Sequence, residues 1–217
     1  MAHLGVLMLQ TRFPRLPGDI GYAGSFTMPV RHRVVQGATP VRVVQQGDPA
    51  LIAPFIEAGR AMVADGARAL TTSCGFLARW QAELQAALPV PVWTSALLWL
   101  PELAERRPGV VTVDGSALDA AVLRAAGAGP DTPVQGIRPD SAFARTLLED
   151  RPTLDPVDAE QQVVDAARAL ITTHPAIGAI VLECTNMPPY SDAVARACGR
   201  PVHDVMTLLH ARWAALP

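Results

Sequence analysis

Short apolar runs alternate with stretches of helical periodicity along the whole chain. The runs predict strands at 4–9, 41–44, 69–72, 90–93, 110–113, 134–137, 177–182 and 202–205. Apolar residues that recur every three or four positions predict helices at 49–64, 78–87, 95–106, 117–126, 140–149, 156–173, 191–197 and 205–215. Buried strands that alternate with helices are typical of parallel sheets covered on both faces. The pattern therefore predicts an α/β fold.

One motif, a cysteine that ends an apolar run, occurs twice. The second copy, at Cys184, follows the first, at Cys74, by 110 positions, and the same offset aligns Trp80 with Tyr190. We therefore expect two pseudo-symmetric, doubly wound parallel-sheet domains. The last helix aligns with the helix that leaves the first half. We therefore assign 1–94 plus 205–217 to the first domain, which carries Cys74, and 95–204 to the second, which carries Cys184. Ligands bind at the carboxyl ends of parallel strands, so the active site is expected between the domains.

Composition narrows the classes of partner and cofactor. Half of the residues are hydrophobic and the net charge is −2, which favours a globular protein without a nucleic-acid or membrane partner. The odd number of cysteines and an amino terminus without signal-peptide features favour a cytoplasmic location. All 18 basic residues are arginine, which excludes a lysine Schiff base to pyridoxal phosphate and a Walker A loop. The sequence leaves a homodimer open.

Residues 11–39 are rich in glycine and proline and are expected to form a loop without strand or helix. The loop leaves the carboxyl end of the first strand, so it is expected to form a wall or lid of the active site. Arg12 lies at its start and could bind a carboxylate of the substrate, because a guanidinium fork suits bidentate recognition. A solvated surface arginine is the alternative.

The two cysteines are the candidate chemical groups. Each lies between a strand and a helix, where the helix dipole is expected to lower the thiol pKa and favour a thiolate. A thiolate is a competent general base, and a thiol facing it is a competent general acid. Hydroxyl and amide side chains flank both cysteines and suit a substrate carboxylate: Thr72, Ser73, Thr185 and Asn186. The alternative is that both are buried structural cysteines.

The two cysteine motifs, Thr72-Ser73-Cys74-Gly75 and Glu183-Cys184-Thr185-Asn186, resemble those of the aspartate/glutamate racemase superfamily. The resemblance covers nearly the whole chain in layout. It implies two α/β domains with the site between them, no cofactor, Cys74 and Cys184 as the acid–base pair, and a small carboxylate as substrate. It also implies that the flanking residues, with Gly75 and Arg12, bind that substrate.

Three departures argue against a glutamate-specific enzyme. Gln10-Thr11-Arg12 stands where glutamate racemases have Asp-Ser-Gly, Gly75-Phe76 stands where they have Asn-Thr, and Asn186 stands where they have His.

The leading expectation is a cofactor-independent isomerase, a racemase or epimerase of an amino acid or derivative that uses two-base proton transfer. A decarboxylase or cis–trans isomerase that uses one cysteine is an alternative within the superfamily. A cysteine hydrolase with His203 and a non-catalytic small-molecule binding protein are the alternatives outside it. No zinc template fits the spacing of cysteine and histidine.

Overall fold

The computed structural model describes residues 1–129 and 131–216; Pro130 and Pro217, which fall within the predicted domains, lie outside it. Two four-stranded parallel sheets form the framework of the described residues. Their strands are β1 His3–Met8, β2 Val30–Val34, β3 Ala67–Thr72, β4 Val92–Trp93, β5 Pro108–Thr112, β6 Val134–Gly136, β7 Ala179–Leu182 and β8 Val202–His203. The order is β2-β1-β3-β4 in the first sheet and β6-β5-β7-β8 in the second. The predicted α/β fold with two parallel sheets is confirmed.

Helices lie between these strands. They are α1 Ile52–Ala64, α2 Gln81–Ala87, α3 Ala120–Ala125, α4 Ala142–Leu148, α5 Pro156–Thr173, α6 Ser191–Cys198 and α7 Val205–Ala214. Short side chains cap the starts of several: Asp155 at α5 accepts the N–H groups of Val157 and Asp158, and Asp204 forms a capping box with Thr207 at α7.

The internal repeat extends to the strand register. Leu70 pairs with Val92 between β3 and β4, and Ile180 pairs with Val202 between β7 and β8, again 110 positions apart. The strands that carry the two cysteine motifs, β3 and β7, therefore occupy equivalent places in the two sheets. Both motifs leave the carboxyl ends of their strands, as the sequence predicted.

The first prediction that the structure corrects is the long loop at 11–39. Residues Val30–Val34 form β2, which pairs along β1, and Ala23–Ser25 form a 3-10 turn. An edge strand has neighbours on one side only, so β2 keeps arginine and histidine side chains that hid it from a search for apolar runs.

Two further elements differ from prediction. The run 41–44, predicted as a strand, lies in a π-helical turn, Val41–Gln45, where Gln46 N–H donates to Val41 O. It follows Pro40 directly, and the proline's helical φ favours a turn there over an extended strand. The helix predicted at 95–106 consists instead of two 3-10 turns, Ala96–Trp99 and Ala104–Arg106, because Pro101 interrupts it.

No helix among the described residues is both long and apolar enough to cross a membrane. The cytoplasmic location stays a prediction.

Candidate active site

The two cysteines line one cavity. Cys74 lies two residues beyond the end of β3, and Cys184 lies two residues beyond the end of β7. Both thiols are 8% exposed. The cavity that they share has a volume of about 30 Å³, enough for one water-sized molecule. The repeat therefore brings the two thiols to the same space from two different sheets.

Most of the cavity wall is apolar. Its lining residues are Leu9, Phe13, Pro40, Val44, Ser73, Cys74, Gly75, Phe76, Val113, Leu147, Leu148, Glu183, Cys184, Thr185 and Asn186. Within the part of the chain that the structure describes, no cationic side chain belongs to this lining. A larger cavity of about 580 Å³ lies near Pro108 and Ile177, at the opposite ends of the strands from the cysteines.

The polar residues beside the cysteines connect the two halves of the chain. Thr185 Oγ1 donates to Ser73 O at 2.7 Å, which joins the second cysteine motif to the first. Ser73 Oγ accepts the N–H of Leu9 at 2.8 Å, and no acceptor for its own hydrogen is present among the described residues. Ser73 therefore keeps a hydrogen-bond donor at the cavity. Thr72 does not, because its hydroxyl lies between the carbonyls of Cys74 and Thr94.

A chain of hydrogen bonds begins at Cys184. Its thiol donates to Asn186 Oδ1 at 3.7 Å, and Asn186 Nδ2 donates to Asp19 Oδ2. The other oxygen of Asp19 accepts the N–H of Gly21 at 2.5 Å and Arg15 Nη1 at 3.2 Å. Asp19 is 2% exposed, and burial raises its pKa despite the Arg15 guanidinium. The network fixes the Asn186 amide, so its oxygen faces the thiol of Cys184.

The thiols are not the activated thiolates that the sequence predicted. Burial raises the pKa of Cys74 to about 12, and burial also raises the pKa of Cys184 well above its ordinary value. Backbone N–H groups, of Phe76 and Asn186 respectively, do lower both, as expected of a turn that follows a strand. Desolvation is the larger effect, because the cavity is narrow and largely apolar.

The surroundings of the two thiols differ in charge. The cations Arg15 and Arg79 lower the pKa of Cys74, whereas Asp19 raises that of Cys184. The charge on Glu183 raises both. Cys74 is thus the thiol whose ionised form has cations to stabilise it.

Glu183 is the residue at the site whose position the sequence did not reveal. It is fully buried, and Thr112 Oγ1 donates to its Oε2 at 2.8 Å. A side chain at Gly75 would meet Glu183 directly, since a Cβ there would lie 2.2 Å from Oε1. β7 ends at Leu182, so Glu183 lies in the turn between this strand and Cys184 and not within the strand itself.

Arg12 lies outside the cavity. Its side chain is 71% exposed, its Nε donates to Asp150 Oδ2 at 3.2 Å, and its Nη2 donates to Asp150 O at 3.0 Å. Because the Arg12 guanidinium is paired with Asp150, Arg12 is not placed to bind the substrate carboxylate as the sequence predicted.

No cluster of three or more metal-binding side chains occurs in residues 1–129 and 131–216.

The comparisons with known proteins bear first on the fold. Allantoin racemase from Klebsiella pneumoniae superimposes with a TM-score of 0.67 over 99% of this chain and 88% of that chain, at 16% sequence identity. The predicted fold, that of the aspartate/glutamate racemase superfamily, is confirmed. No protein-family model matches the chain.

Sequence relatives decide the family. A dimethylsulfoniopropionate lyase of Durusdinium sp. clade D is 33% identical over 94% of this chain and 72% of its own length. The chain belongs to the dimethylsulfoniopropionate lyase family. Dimethylsulfoniopropionate lyase 7 of Emiliania huxleyi (strain CCMP1516) is 31% identical over 98% of this chain and 67% of its own length. The sequence analysis expected a racemase, and therefore an enzyme of the isomerase class. That expectation is wrong, because the sequence relatives are lyases.

Proposed function

We propose that the chain is a carbon–sulfur lyase that cleaves dimethylsulfoniopropionate into dimethyl sulfide and acrylate. The observation that carries the proposal is the similarity, over nearly the whole chain, to lyases named for this substrate. The two buried thiols at one cavity supply a means of removing the proton next to the substrate carboxylate.

The cavity wall suits this substrate better than a dicarboxylate amino acid. Dimethylsulfoniopropionate has one carboxylate and one sulfonium, so it carries no net charge. A wall without a cationic side chain among the described residues has nothing to offset a second carboxylate. The aromatic rings of Phe13 and Phe76, which line the cavity, suit the sulfonium and its methyl groups.

The elimination needs one base. The Cys74 thiolate takes a proton from the carbon next to the carboxylate, and the C–H electron pair forms the carbon–carbon double bond of acrylate. The bond between the β-carbon and sulfur breaks, and its electron pair stays on sulfur as neutral dimethyl sulfide. This leaving group requires no proton, so no acid has to face the base. A racemase differs, because its second cysteine must return a proton to the opposite face.

Cys74 is the base in this proposal. The charges of Arg15 and Arg79 favour its thiolate, whereas the Cys184 thiol donates a hydrogen bond to Asn186 Oδ1 and the charge of Asp19 disfavours its ionisation. Cys184 therefore remains a thiol at the opposite wall. The Ser73 hydroxyl, with its hydrogen available, is a donor for the substrate carboxylate.

The cavity has to widen to admit the substrate. A volume of about 30 Å³ holds one water-sized molecule, and the substrate is several times larger. The wall includes Phe13 from one half of the chain and Leu147–Leu148 from the other. Separation of these two segments enlarges the cavity and leaves each cysteine in the loop that follows its strand.

Release of dimethyl sulfide tests the proposal. Purified chain is incubated with dimethylsulfoniopropionate, and headspace gas chromatography measures the sulfide while proton NMR follows acrylate. We expect equimolar products from the wild type and a loss of at least about 100-fold for Cys74→Ala. Cys198→Ala is the matched control, since Cys198 is equally buried but lies outside the cavity lining.

Three outcomes have distinct meanings. No sulfide from the wild type contradicts the proposed function. Loss of activity in Cys184→Ala with retention in Cys74→Ala reassigns the base to Cys184. Loss in the Cys198→Ala control shows that the cysteine substitutions act through folding.

A further inference from the structure

We propose that Glu183, as a neutral carboxylic acid, donates a hydrogen bond from Oε1 to the substrate carboxylate and is a third catalytic group of the site. The inference rests on the proposed lyase function, which it deepens. It adds a residue that neither the cysteine repeat nor the flanking hydroxyls indicated.

One of the two oxygens of Glu183 has a hydrogen-bond partner among the described residues, and the other has none. Thr112 Oγ1 donates to Oε2 at 2.8 Å, so Oε2 is an acceptor. Oε1 is buried and has no hydrogen-bond partner among the described residues. An unpartnered buried polar atom is costly and rare. A ligand in the cavity that Glu183 lines would supply the missing partner.

Gly75 makes room for this carboxyl. A Cβ at Gly75 would lie 2.2 Å from Glu183 Oε1 and 2.4 Å from the main-chain oxygen of Glu183, well inside van der Waals contact, so any larger residue would displace both the carboxyl and the backbone of Glu183. The glycine follows Cys74 directly, which brings Oε1 to the wall beside the proposed base. The departure from the racemase motif at this position therefore has a physical reason in this chain.

The negative charges of the substrate carboxylate and the Cys74 thiolate require a neutral Glu183. An ionised Glu183 would repel both the substrate carboxylate and a Cys74 thiolate. A neutral Glu183 removes that repulsion and donates where negative charge grows as the α-proton leaves.

The titration of Glu183 agrees with this role. Burial raises the pKa of Glu183 to about 8, Asp114 raises it too, and the Thr112 hydroxyl lowers it. The titratable groups that face it are the thiols of Cys74 and Cys184, and the cations Arg15 and Arg79 act on Cys74. Glu183 is consequently neutral below about pH 8.

The pH profile of activity distinguishes this role from a structural one. The reactive form combines a Cys74 thiolate with a protonated Glu183. Below the pKa of Glu183, the amount of this form rises about tenfold per pH unit as the thiol ionises. Above that pKa, the dominant form is the thiol with an ionised Glu183. It has the same number of protons as the reactive form, so the amount of the reactive form no longer depends on pH. In Glu183→Gln the amide still donates and cannot ionise. Its activity continues to rise above pH 8.

The experiment measures kcat/KM for dimethylsulfoniopropionate from pH 6 to 10, with substrate-only blanks, in wild type, Glu183→Gln and Glu183→Met. We expect the ratio of Glu183→Gln to wild type to be constant below pH 7 and to increase about tenfold per unit above pH 8. Glu183→Met lacks the donor and should be slower at every pH. A constant ratio overturns the proposal, as does a folded but inactive Glu183→Gln, which would make Glu183 a base.

Binding of propionate separates this inference from the proposed lyase activity, because it needs no turnover. Calorimetry should show that the Kd of the wild type rises as pH passes through about 8, while that of Glu183→Gln stays flat. A wild-type Kd that is independent of pH between 6 and 10 overturns the role of Glu183, whether or not the chain cleaves dimethylsulfoniopropionate.

Discussion

Replacement of Glu183 by glutamine isolates the free energy of ionising one buried carboxyl. Burial raises its pKa from the ordinary 4.5 to about 8, so the folded chain keeps a proton that the unfolded chain has lost over that range. The contribution to the free energy of unfolding is complete below about pH 4.5 and is lost as pH rises through about 8. At about 1.4 kcal/mol per pKa unit, the free energy of unfolding of the wild type falls by up to about 5 kcal/mol between pH 4.5 and 8. Glu183→Gln does not lose this amount, because its amide does not ionise.

Urea unfolding at pH 5, 6, 7, 8 and 8.5, followed by tryptophan fluorescence, measures this difference. The free energy of unfolding of Glu183→Gln, relative to wild type, should increase steadily with pH across the series. Asp19, whose pKa is also raised, is present in both proteins, so subtraction removes its contribution. A difference that is independent of pH would refute the claim that Glu183 is a buried acid with a raised pKa.

Three further predictions concern stability. Gly75→Ala should cost about 1–3 kcal/mol through its contacts with the carboxyl and the main-chain carbonyl of Glu183, and a double-mutant cycle with Glu183→Ala should show coupling from the carboxyl contact; strictly additive costs would contradict that side-chain contact. Arg12→Ala should lower the free energy of unfolding by less than about 1 kcal/mol, because the ion pair with Asp150 is exposed, and it should keep activity. A tenfold loss of activity would instead support the predicted contact between Arg12 and the substrate. Asp204→Ala removes the capping box of α7 and should cost about 1 kcal/mol, measured by thermal melting, whereas an unchanged melting temperature would contradict the capping role.

The sequence predicted the centre of each sheet better than its edges. β3 and β7 are flanked by strands on both sides, so residues 69–72 and 179–182 are buried throughout and their repeat is visible. β2 lies at an edge and carries arginine and histidine, so the same criterion missed it. The criterion selected 41–44 instead, where Val43 and Val44 are buried on a helical turn.

The candidate site was predictable where it derives from the repeat. Seven of the lining residues, 73–75 and 183–186, belong to the two cysteine motifs. Phe13 and Leu147 reach the cavity through tertiary packing that no local pattern encodes. The ion pair that occupies Arg12 joins residues 138 positions apart, and it was invisible for the same reason.

The thiol pKa was mispredicted because two effects oppose each other. The position of Cys74 before a helical turn correctly predicted stabilising backbone N–H groups. The depth of the cavity, which depends on the whole fold, decides that desolvation is the larger effect.

The cysteine repeat does not distinguish a racemase from a lyase. Both reactions begin when a base removes a proton next to a carboxylate. They differ in the second step, since a good leaving group on the β-carbon departs before a proton returns. The leaving group belongs to the substrate, so the correction came from the relatives and not from the motif.

Solvent deuterium incorporation during turnover of dimethylsulfoniopropionate tests the central claim most directly. In deuterium oxide, the account predicts that the wild type releases dimethyl sulfide and acrylate in equal amounts, and that Cys74→Ala releases neither. Proton NMR reads both products and any exchange at the α-carbon of the remaining substrate. Exchange at the α-carbon without any dimethyl sulfide would contradict the account, because it would show proton transfer by the cysteines without cleavage of the carbon–sulfur bond.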